Sequence, residues 1–298
     1  MEKEGLTAYP LAVVVPHHGD PALTRACVAS VMRARVKGTR VYVVDGTGAA
    51  PLPRGRHRTV LLDPRGEGGF AAICNHAAER AFADGAGAVL LLNNDAVVAP
   101  EAPAQLLAFA RETGAGVVAP VVLRLADPAI VETAGIEFNA VTGRVRHWYA
   151  GRPYASIRYE YRFFEAVAAT AMLVTRGAFD AVGRLFDPAL TFYFEDVDFC
   201  LRARAAGVRI AVLKEARAWH VGAASFGGAR AAERARLVVR HHLAVAARHG
   251  RPLAAPLRIA RDGHIIMLNA AYFALRAAAP LDGLRAVLRG AREHYEED

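Results

Sequence analysis

Short apolar runs that alternate with helical segments constrain the fold of this chain more than any other feature. The runs occupy residues 11–15, 41–44, 59–62, 88–92 and 116–122, and helical patterns occupy residues 22–35, 70–83 and 100–113. Strands that are apolar along their whole length are buried on both faces, as in parallel sheets that are covered by helices. The alternation therefore predicts an α/β domain with a mixed, mainly parallel sheet flanked by helices.

The rest of the chain is more varied. Residues 130–162 are rich in Gly, Arg and aromatic residues, and we expect a loop with a hairpin there, the kind of segment in which specificity usually lies. A further buried strand is expected at residues 166–175, and two short strands are expected at residues 208–212 and 216–219. A helix at 230–249 and two or three more helices then complete a C-terminal extension, punctuated by Pro252, Pro256 and Pro280.

Composition limits the class of protein. The chain has 298 residues, of which 54% are hydrophobic and 22% charged, enough for one large domain with a smaller appendage. Its longest apolar segment is interrupted by Asn269 and Arg276, so no run reaches the roughly 20 residues that a membrane span needs. No charged and then apolar leader is present at residues 1–9. The three cysteines have neither disulfide nor metal spacing, so we expect buried, reduced thiols and a cytoplasmic location.

The chain is basic, with a formal net charge of +8. Residues 230–298 contain 12 Arg and seven Asp or Glu, so they carry five of these charges. Because no nucleic-acid-binding motif or interleaved aromatic residues accompany the Arg, we expect no nucleic-acid partner. The C-terminal helices could rest on an anionic surface at the inner face of the cell membrane. Alternatively, their apolar faces pack on the large domain or on the second subunit of a homodimer.

An aromatic and acidic run begins one of the predicted helices: Phe192-Tyr193-Phe194-Glu195-Asp196-Val197-Asp198. Carboxylates at a helix N-terminus accept hydrogen bonds from free N–H groups, and a single one would need no other explanation. Three of them among large apolar side chains raise the pKa of at least one through burial and mutual repulsion. The run therefore indicates a general base.

Polar residues end two of the apolar runs, and a histidine ends another strand. Asp45 follows the second run, and Asn93-Asn94-Asp95 follows the fourth. Since ligands of such sheets bind beyond the carboxyl ends of the strands, both are candidates for a binding site. Asp95 suits a divalent cation that arrives with a diphosphate, but Asn-Asn-Asp is equally common in turns. His220 is either a metal ligand or, as is more frequent for a lone histidine, a packed residue.

A glycine-rich segment, Gly66-Glu67-Gly68-Gly69-Phe70-Ala71, matches the G-x-G-x-x-A pattern of dinucleotide-binding turns. It follows the third strand, and no acidic residue ends the next strand at the usual distance. A tight turn that packs a helix on a strand explains the segment better. A nicotinamide-dependent dehydrogenase therefore ranks last among the functional alternatives.

Taken in order, these segments resemble the family 2 glycosyltransferases of the GT-A fold, especially their bacterial rhamnosyltransferase-like branch. The resemblance covers about residues 10–245. The matching segments are Val13-Val14-Val15-Pro16, Val43-Val44-Asp45, Gly69-Phe70-Ala71 with Asn75, Leu91-Leu92-Asn93-Asn94-Asp95, Gly183-Arg184-Leu185-Phe186-Asp187, Tyr193-Phe194-Glu195-Asp196-Val197-Asp198-Phe199-Cys200-Leu201-Arg202-Ala203, and Trp219-His220 before Ser225. The resemblance implies a Rossmann-like nucleotide-diphospho-sugar transferase domain, residues 1–228, and a helical extension, residues 229–298, that packs on it or lies at a membrane surface.

The resemblance also implies a role for each site residue. Asp196 would be the catalytic base, and Glu195 would support acceptor binding. Asp95 would bind Mn²⁺ or Mg²⁺ through a DXD-like motif whose first acid is replaced here by Asn93, and His220 would complete the metal site. The implied donor-binding residues are Pro16, Asp45, Gly69, Phe70, Asn75, Asn93 and Asn94.

The implied reaction is an inverting, metal-dependent transfer of a sugar, such as rhamnose, from a dTDP- or UDP-linked donor. The acceptor would be a hydroxyl group of a glycan, a lipid-linked glycan or a small molecule. One base without a nucleophile fits a single displacement with inversion. A pyrophosphorylase would need a Gly-rich basic loop after the first strand, which this chain lacks. A catalytically weak nucleotide-sugar-binding protein of the same fold is the remaining alternative, because Asn93 and Glu67 depart from the family pattern.

Overall fold

A ten-stranded sheet lies between two helical layers in the computed structural model of the chain, which describes residues 9–34, 36–45, 59–62, 69–222, 229–276 and 280–297. Because successive side chains of a strand point to opposite faces, the central strands supply two separate apolar clusters. Val14 enters one cluster, and Val13 and Val15 enter the other. The sheet flanked by helices confirms the fold class that the apolar runs predicted.

The first half of the chain forms the parallel part of the sheet and its helices. Its strands are β1 (Tyr9–Pro16), β2 (Arg40–Val44), β3 (Thr59–Leu62), β4 (Ala86–Leu92), β5 (Ala96–Val98) and β6 (Val117–Arg124). Its helices are α1 (Pro21–Met32), α2 (Gly69–Ala83) and α3 (Ala102–Thr113). Each agrees with a sequence-based expectation except β5, whose three residues are too few for a recognisable period.

The second half adds shorter strands and the C-terminal helices. Its strands are β7 (Val131–Thr133), β8 (Ile136–Phe138), β9 (Val145–His147), β10 (Tyr161–Phe163), β11 (Ala171–Thr175) and β12 (Ile210–His220). Its helices are α4 (Arg176–Val182), α5 (Glu195–Ala205), α6 (Ala229–His249), α7 (Ala255–Arg276) and α8 (Pro280–Glu297). β8 and β9 pair as an antiparallel hairpin, which confirms the hairpin expected in this segment.

The sheet has the order β10-β12-β6-β11-β4-β1-β2-β3, with β5 beside β12 and β7 beside β6. β3, β2, β1 and β4 are parallel to one another, and β6 and β12 form a second parallel pair. β11 lies between the two groups and is antiparallel to both of its neighbours, β4 and β6. The two parallel groups therefore run in the same direction.

Two strands differ from the sequence-based expectation. The strands expected at 208–212 and 216–219 are a single strand, β12, whose register against β6 shifts between Leu213 and Arg217. An irregularity of this kind interrupts the alternation of buried residues, so the sequence pattern suggests two strands. The strand expected at 166–175 begins only at Ala171.

The C-terminal extension is a layered set of three helices. One side of α6 contacts the large domain, where His242 Nε2 donates a 2.9 Å hydrogen bond to the carbonyl of Gly143. Its other side packs Val239 and Leu243 into an apolar cluster with residues of α7 and α8, including Ile265 and Val287. The boundary expected after residue 228 falls in positions 223–228, outside the described residues.

Two further sequence-based expectations concern cysteines and membrane spans. All three cysteines are buried and unpaired, as expected. Of the helices in the described ranges, none has both the length and the apolar character that crossing a membrane requires.

Candidate functional site

The carboxyl ends of the parallel strands meet at one edge of the sheet. Asp45 follows β2, Asn93-Asn94-Asp95 follows β4, and His220 ends β12. β5 connects the last two segments, because its first residue, Ala96, pairs with His220. The fold therefore brings together three polar segments that lie far apart in the sequence, at the edge where sheets of this kind bind their ligands.

Asp95, His220 and Glu132 form a hydrogen-bonded chain at this edge. His220 Nε2 lies 3.1 Å from Asp95 Oδ1, and His220 Nδ1 lies 2.8 Å from Glu132 Oε1. Burial lowers the pKa of His220, but the hydrogen bonds and charges of Asp95 and Glu132 outweigh burial and raise this pKa to about 9. In the protein alone, the ring therefore carries both protons at neutral pH and donates to both carboxylates.

The residues around Asp95 fit a divalent cation. The side-chain oxygen of Asn93 is buried with no hydrogen-bond partner among the described residues. A cation could replace the Nε2 proton of His220, while Nδ1–H donates to Glu132 as in carboxylate–histidine–metal sites. In the described ranges, no three His, Cys, Asp or Glu side chains enclose one point. A cation at this place would therefore take further ligands from substrate oxygens, as Mg²⁺ does at phosphate sites.

A strained turn presents the acidic residues at the start of α5. Tyr193 and Phe194 both have a φ of 68°, in the left-handed region that large side chains rarely adopt. α5 begins directly after them at Glu195. Asp196 Oδ2 accepts a 3.0 Å hydrogen bond from the backbone N–H of Ala169.

The acidic turn lies at the same edge of the sheet as Asp95. Ala169 belongs to the segment that enters β11, and the N-terminal end of this antiparallel strand lies beside the carboxyl end of β4. The backbone N–H of Asn93 donates a 3.0 Å hydrogen bond to the carbonyl of Thr170 in the same segment. A backbone connection of two hydrogen bonds thus links the Asn93 segment to Asp196.

The three carboxylates of α5 have different environments. Glu195 is buried, and burial followed by the charge of Asp196 raises its pKa well above the usual range. Asp196 is half-buried, and burial raises its pKa against the backbone hydrogen bonds that it accepts. Asp198 is almost inaccessible, yet its pKa is lowered, because hydrogen bonds from His249 and Arg202 outweigh burial. Asp196 is thus the partly accessible carboxylate, whereas Asp198 is enclosed by hydrogen-bond donors.

The N-terminus of α2 lies against the same turn. Gly69 has a φ of +84°, and a Cβ atom added there would lie 3.1 Å from the Cβ of Thr191. The backbone N–H of Phe70 donates a 3.0 Å hydrogen bond to the carbonyl of Thr191. Glycine is therefore required where α2 approaches the acidic turn.

Asn75, further along α2, has its polar atoms occupied by the backbone of Phe186. Its Nδ2 donates to the Phe186 carbonyl at 2.7 Å, and its Oδ1 accepts from the Phe186 N–H at 2.8 Å. The ring of Phe186 also stacks on Phe70 at a centroid distance of 5.9 Å. Asn75 therefore connects α2 to the segment that leads into the acidic turn.

The end of β1 contacts the segment that contains Asp95. Pro16 is the last residue of β1, and the next residue, His17, donates its backbone N–H to the carbonyl of Val44 in β2. Asn94 Nδ2 lies 2.7 Å from the carbonyl of His18 and 2.9 Å from Thr24 Oγ1. The amide of Asn94 thus holds the loop after β1, whereas the side-chain oxygen of Asn93 has no partner in the described part of the chain.

Two residues near the site have no distinct sequence signal. Glu132 lies in β7, a three-residue strand, and nothing local indicates that it meets His220. His147, an exposed residue at the end of β9, is close enough to Asp196 for the two side chains to interact electrostatically. Its Nδ1 lies 3.1 Å from Thr133 Oγ1. The alternating pattern around residue 147 predicts a hairpin but not its position beside the acidic turn.

Other features lie apart from this edge. A cavity of about 530 Å³ lies beside α5, lined by Asp198, Arg202, Arg248 and neighbouring residues, and it contains none of the residues predicted for the site. Gly66, Glu67 and Gly68, which belong to the glycine-rich pattern, lie outside the described residues.

Comparison with known sequences connects this geometry to a family. A sequence model of the family described as "Glycosyltransferase like family 2" matches residues 9–239. An uncharacterised protein of Mycobacterium bovis is 29% identical over 227 residues, which are 74% of this chain and 78% of that protein. An uncharacterised protein of Sinorhizobium fredii is 27% identical over 235 residues, 73% of this chain. The chain matches only 25% of the length of this second relative.

Solved structures show the same fold at low sequence identity. A structure of GalNAc-T7 with UDP, GalNAc and Mn²⁺ is similar, with a TM-score of 0.60 and 14% identity, covering 86% of this chain and 54% of that one. A mannosyltransferase from Pyrobaculum calidifontis in complex with GDP-Man and Mn²⁺ has a TM-score of 0.58 and 14% identity, covering 98% of this chain and 77% of that one. Both similarities concern the arrangement of the sheet and its helices.

Proposed function

Because the chain belongs to the family described as "Glycosyltransferase like family 2", we propose that it transfers a sugar from a nucleoside-diphosphate donor to an acceptor hydroxyl by single displacement with inversion. One observation carries the proposal. Asp95, His220 and Asp196, which the sequence places in three distant segments, lie at one edge of the sheet. Such an edge can hold a diphosphate and a base close together.

Asp196 is the proposed general base. Its carboxylate is half-buried and is oriented by the backbone N–H groups of Ala169 and Val197. Burial raises its pKa, which makes the carboxylate a stronger base than an exposed aspartate. In the proposed step, Asp196 accepts the proton of the acceptor hydroxyl, whose oxygen bonds to the sugar carbon. The bond from that carbon to the diphosphate oxygen breaks, and the electron pair leaves with the nucleoside diphosphate.

Asp95 and His220 are the proposed ligands of Mn²⁺ or Mg²⁺. Such a cation, when bound, supplies positive charge that offsets the negative charge developing on the leaving diphosphate. Two observations at the carboxyl end of the sheet support this assignment. The side-chain oxygen of Asn93 has no hydrogen-bond partner among the described residues, and His220 Nε2, whose proton a cation would replace, lies 3.1 Å from Asp95 Oδ1. Glu132 would orient His220 through its Nδ1 atom.

Donor binding is assigned to the segments around this pair. We propose that Pro16, Asp45, Gly69 and Phe70 contribute to the donor site through their positions at the ends of β1, β2 and the start of α2. Asn75 and Asn94 would act indirectly, since their amide groups hold Phe186 and the loop after β1. Glu195, buried beside Asp196, would support the acceptor site.

The sugar and the acceptor are narrower proposals. The resemblance to rhamnosyltransferase-like members favours a dTDP- or UDP-linked donor and rhamnose as the sugar. The two similar structures contain UDP with GalNAc and GDP-Man, so the fold accommodates different nucleotides and sugars. The acceptor would be a hydroxyl of a glycan, a lipid-linked glycan or a small molecule.

The experiment is a donor panel with a matched base variant. Purified protein is incubated with dTDP-, UDP- and GDP-sugars and with NAD, in Mn²⁺, Mg²⁺ or EDTA, and nucleoside diphosphate release and thermal stabilisation are recorded. We expect one class of sugar donor to stabilise the protein in a metal-dependent way and to be slowly hydrolysed. Asp196→Asn should bind that donor normally but release nucleoside diphosphate roughly 10²–10⁴-fold more slowly.

Each alternative outcome has a definite meaning. Near-normal release by folded Asp196→Asn would overturn the base assignment. Donor-dependent stabilisation without release, even with a range of glycan acceptors, would favour the nucleotide-sugar-binding alternative. Stabilisation by NAD and by no sugar donor would overturn the proposed function.

A further inference from the structure

The two last helices expose a large amount of apolar surface. Leu275 is 85% exposed, Ile259 70%, Leu281 68% and Met267 63%. Other exposed apolar side chains on α7 and α8 are Leu257, Leu268, Tyr272, Leu284, Leu288 and Tyr295. Single exposed hydrophobic residues are common on protein surfaces, whereas a concentration on two neighbouring helices marks an interaction surface. We call these ten side chains the apolar surface of the extension.

The described part of the chain leaves this surface uncovered. α7 and α8 already bury their opposite faces: Ile265 and Phe273 of α7 and Val287 and Ala291 of α8 pack in the cluster with α6. α6 in turn contacts the large domain. By helical spacing, four of the exposed residues share one outward face of α7 and four share one outward face of α8. They are Leu257, Leu268, Tyr272 and Leu275 on α7, and Leu281, Leu284, Leu288 and Tyr295 on α8.

The charges beside the surface are mainly positive. The exposed part of α7 carries Arg258, and no acidic side chain of α7 is exposed, because Asp262 is buried against Arg261. On α8, Arg285, Arg289 and Arg292 are exposed. The exposed acidic side chains described on α8, Asp282 and Glu296, are each paired with an Arg on the same helix.

We propose that α7 and α8 dock on the surface of an anionic lipid bilayer. Helices that lie at a membrane interface combine a Leu-, Ile- and aromatic-rich face with adjacent cationic side chains. Leu257, Leu275 and Leu281 would enter the boundary between headgroups and acyl chains, with Arg258 and Arg289 near lipid phosphates. Tyr272 and Tyr295 combine an apolar ring with a polar hydroxyl, which suits the interface.

Charge favours lipid over a second copy of this chain. A symmetric dimer through this surface would bring the exposed arginines of α7 and α8 in the two chains close together, and these outnumber the exposed acidic side chains described on the same helices. An anionic bilayer offers the opposite charge, and each Lys or Arg near such a surface contributes favourably. The inference concerns a surface outside the candidate site and does not depend on the proposed sugar transfer.

The experiment measures flotation of the full chain with lipid vesicles. Vesicles of phosphatidylcholine alone and of phosphatidylcholine with phosphatidylglycerol are compared, together with the double variant Leu275→Glu/Leu281→Glu. Because both side chains are exposed, the glutamates should leave the fold intact. We expect the unmodified protein to float with anionic vesicles. The fraction of the double variant that floats with them should be at least 10-fold smaller. Tyr161→Glu, a substitution on the edge strand β10, is the matched control and should float normally.

Sedimentation of the same samples without lipid tests the alternative that a second copy of the chain covers this surface. No flotation of the folded protein with anionic vesicles would overturn the proposal, as would equal flotation of the double variant. A dimer that the double variant abolishes, in the absence of vesicle binding, would assign the surface to a second copy. Thermal stabilisation by the donor reports separately on the candidate site, so a failure there would not be mistaken for a failure here.

Discussion

Burial makes ionisation of the Glu195 carboxyl group unfavourable in this protein. The side chain is 6% exposed, its Oε2 atom has no hydrogen-bond partner among the described residues, and Asp196 is its sequence neighbour. Burial, followed by the charge of Asp196, raises its pKa well above the usual range. A group whose pKa is higher in the folded than in the unfolded state stabilises the fold only while it is protonated. Its ionised form therefore reduces the stability of the folded protein.

The first prediction is that Glu195→Gln raises the thermal stability at pH 8. Glutamine has the same shape without the charge, so the variant should gain on the order of 1–2 kcal/mol, or roughly 2–5 °C in melting temperature. The advantage should shrink towards pH 5, because the wild-type carboxyl group then becomes protonated and loses its unfavourable charge. Thermal unfolding at the two pH values checks this. A variant less stable than the wild type at pH 8 would show that the ionised carboxylate has a stabilising partner.

The second prediction concerns Glu132, a positioning residue for the proposed metal ligand His220. Glu132 Oε1 lies 2.8 Å from His220 Nδ1. Without this acceptor, the ring would lose the contact that directs Nε2 towards Asp95, and such partners typically contribute 10- to 100-fold to metal affinity. Glu132→Ala should therefore weaken Mn²⁺ binding about 10-fold or more, measured by titration in the presence of the nucleoside diphosphate. Glu132→Gln keeps an oxygen acceptor and serves as the control. Unchanged Mn²⁺ affinity in Glu132→Ala would contradict this role.

At the scale of elements, α6 holds the turn that carries the acidic residues. His241 is buried, and its Nδ1 lies 2.7 Å from the carbonyl of Phe192 and 3.2 Å from that of Tyr193. The ring of His242 stacks on Phe194 at a centroid distance of 4.6 Å. Burial lowers the pKa of both histidines, so both are neutral at pH 7, and His241 donates an Nδ1–H hydrogen bond. Because left-handed Tyr and Phe are unfavourable in isolation, contacts from outside the turn are needed to maintain them.

The third prediction is that His241→Leu lowers kcat more than it affects donor binding. A buried carbonyl that loses its donor costs about 1–3 kcal/mol, enough to displace the turn and with it Asp196. We expect kcat to fall by at least about 10-fold, while the KM for the donor stays within about 2-fold of the wild-type value. This pattern is typical for a misplaced catalytic group. His241→Asn retains an N–H donor of similar reach and should restore much of the rate. Equal kinetics for His241→Leu and the wild type would argue against this function of α6.

The elements could be predicted from the sequence to different degrees. Strands such as β1 and β4 were predictable, because continuous apolar runs are a local signal that burial on both faces produces. The position of Asp95 at the edge of the sheet follows from the end of such a run. The contact between Glu132 and His220 and the support of the turn by His241 have no local signal, since each joins segments that only the tertiary fold brings together. The sequence pattern divides β12 into two strands, because the irregular register interrupts the alternation of buried residues.

At the scale of the whole molecule, the C-terminal extension and the large domain share polar as well as apolar contacts. Asp198 of α5 accepts a 2.8 Å hydrogen bond from His249 Nε2 at the end of α6. Arg248 Nη1 lies 2.7 Å from Asp187 Oδ2. These contacts connect the C-terminal end of α6 to the segments on both sides of the acidic turn. The extension therefore contributes to the position of α5, in addition to exposing the apolar surface on α7 and α8.

The last prediction tests how closely α8 packs on this arrangement, through two glycines of the extension. At Gly290 in α8, an added Cβ would overlap the backbone oxygen of Arg236 in α6 and would lie 2.7 Å from Val239 Cγ1. At Gly263 in α7, an added Cβ meets nothing within 4 Å. Gly290→Ala should therefore separate the two helices and destabilise the protein by about 1–3 kcal/mol. Gly263→Ala, the matched control, should stabilise it by about 0.5–1 kcal/mol, because alanine has the higher helix propensity.

Thermal unfolding of the two variants provides the comparison, and donor-dependent stabilisation provides a second readout. Because Gly290 contacts the outer side of α6, whereas His241 contacts the acidic turn, we expect Gly290→Ala to lower the melting temperature while donor binding is retained. Equal melting temperatures for the two alanine variants would mean that α8 does not pack on α6 at this distance. A large loss of donor binding in Gly290→Ala would instead show that the position of α6 relative to the catalytic turn depends on α8. In that case, docking of α7 and α8 on a lipid surface could itself influence the site.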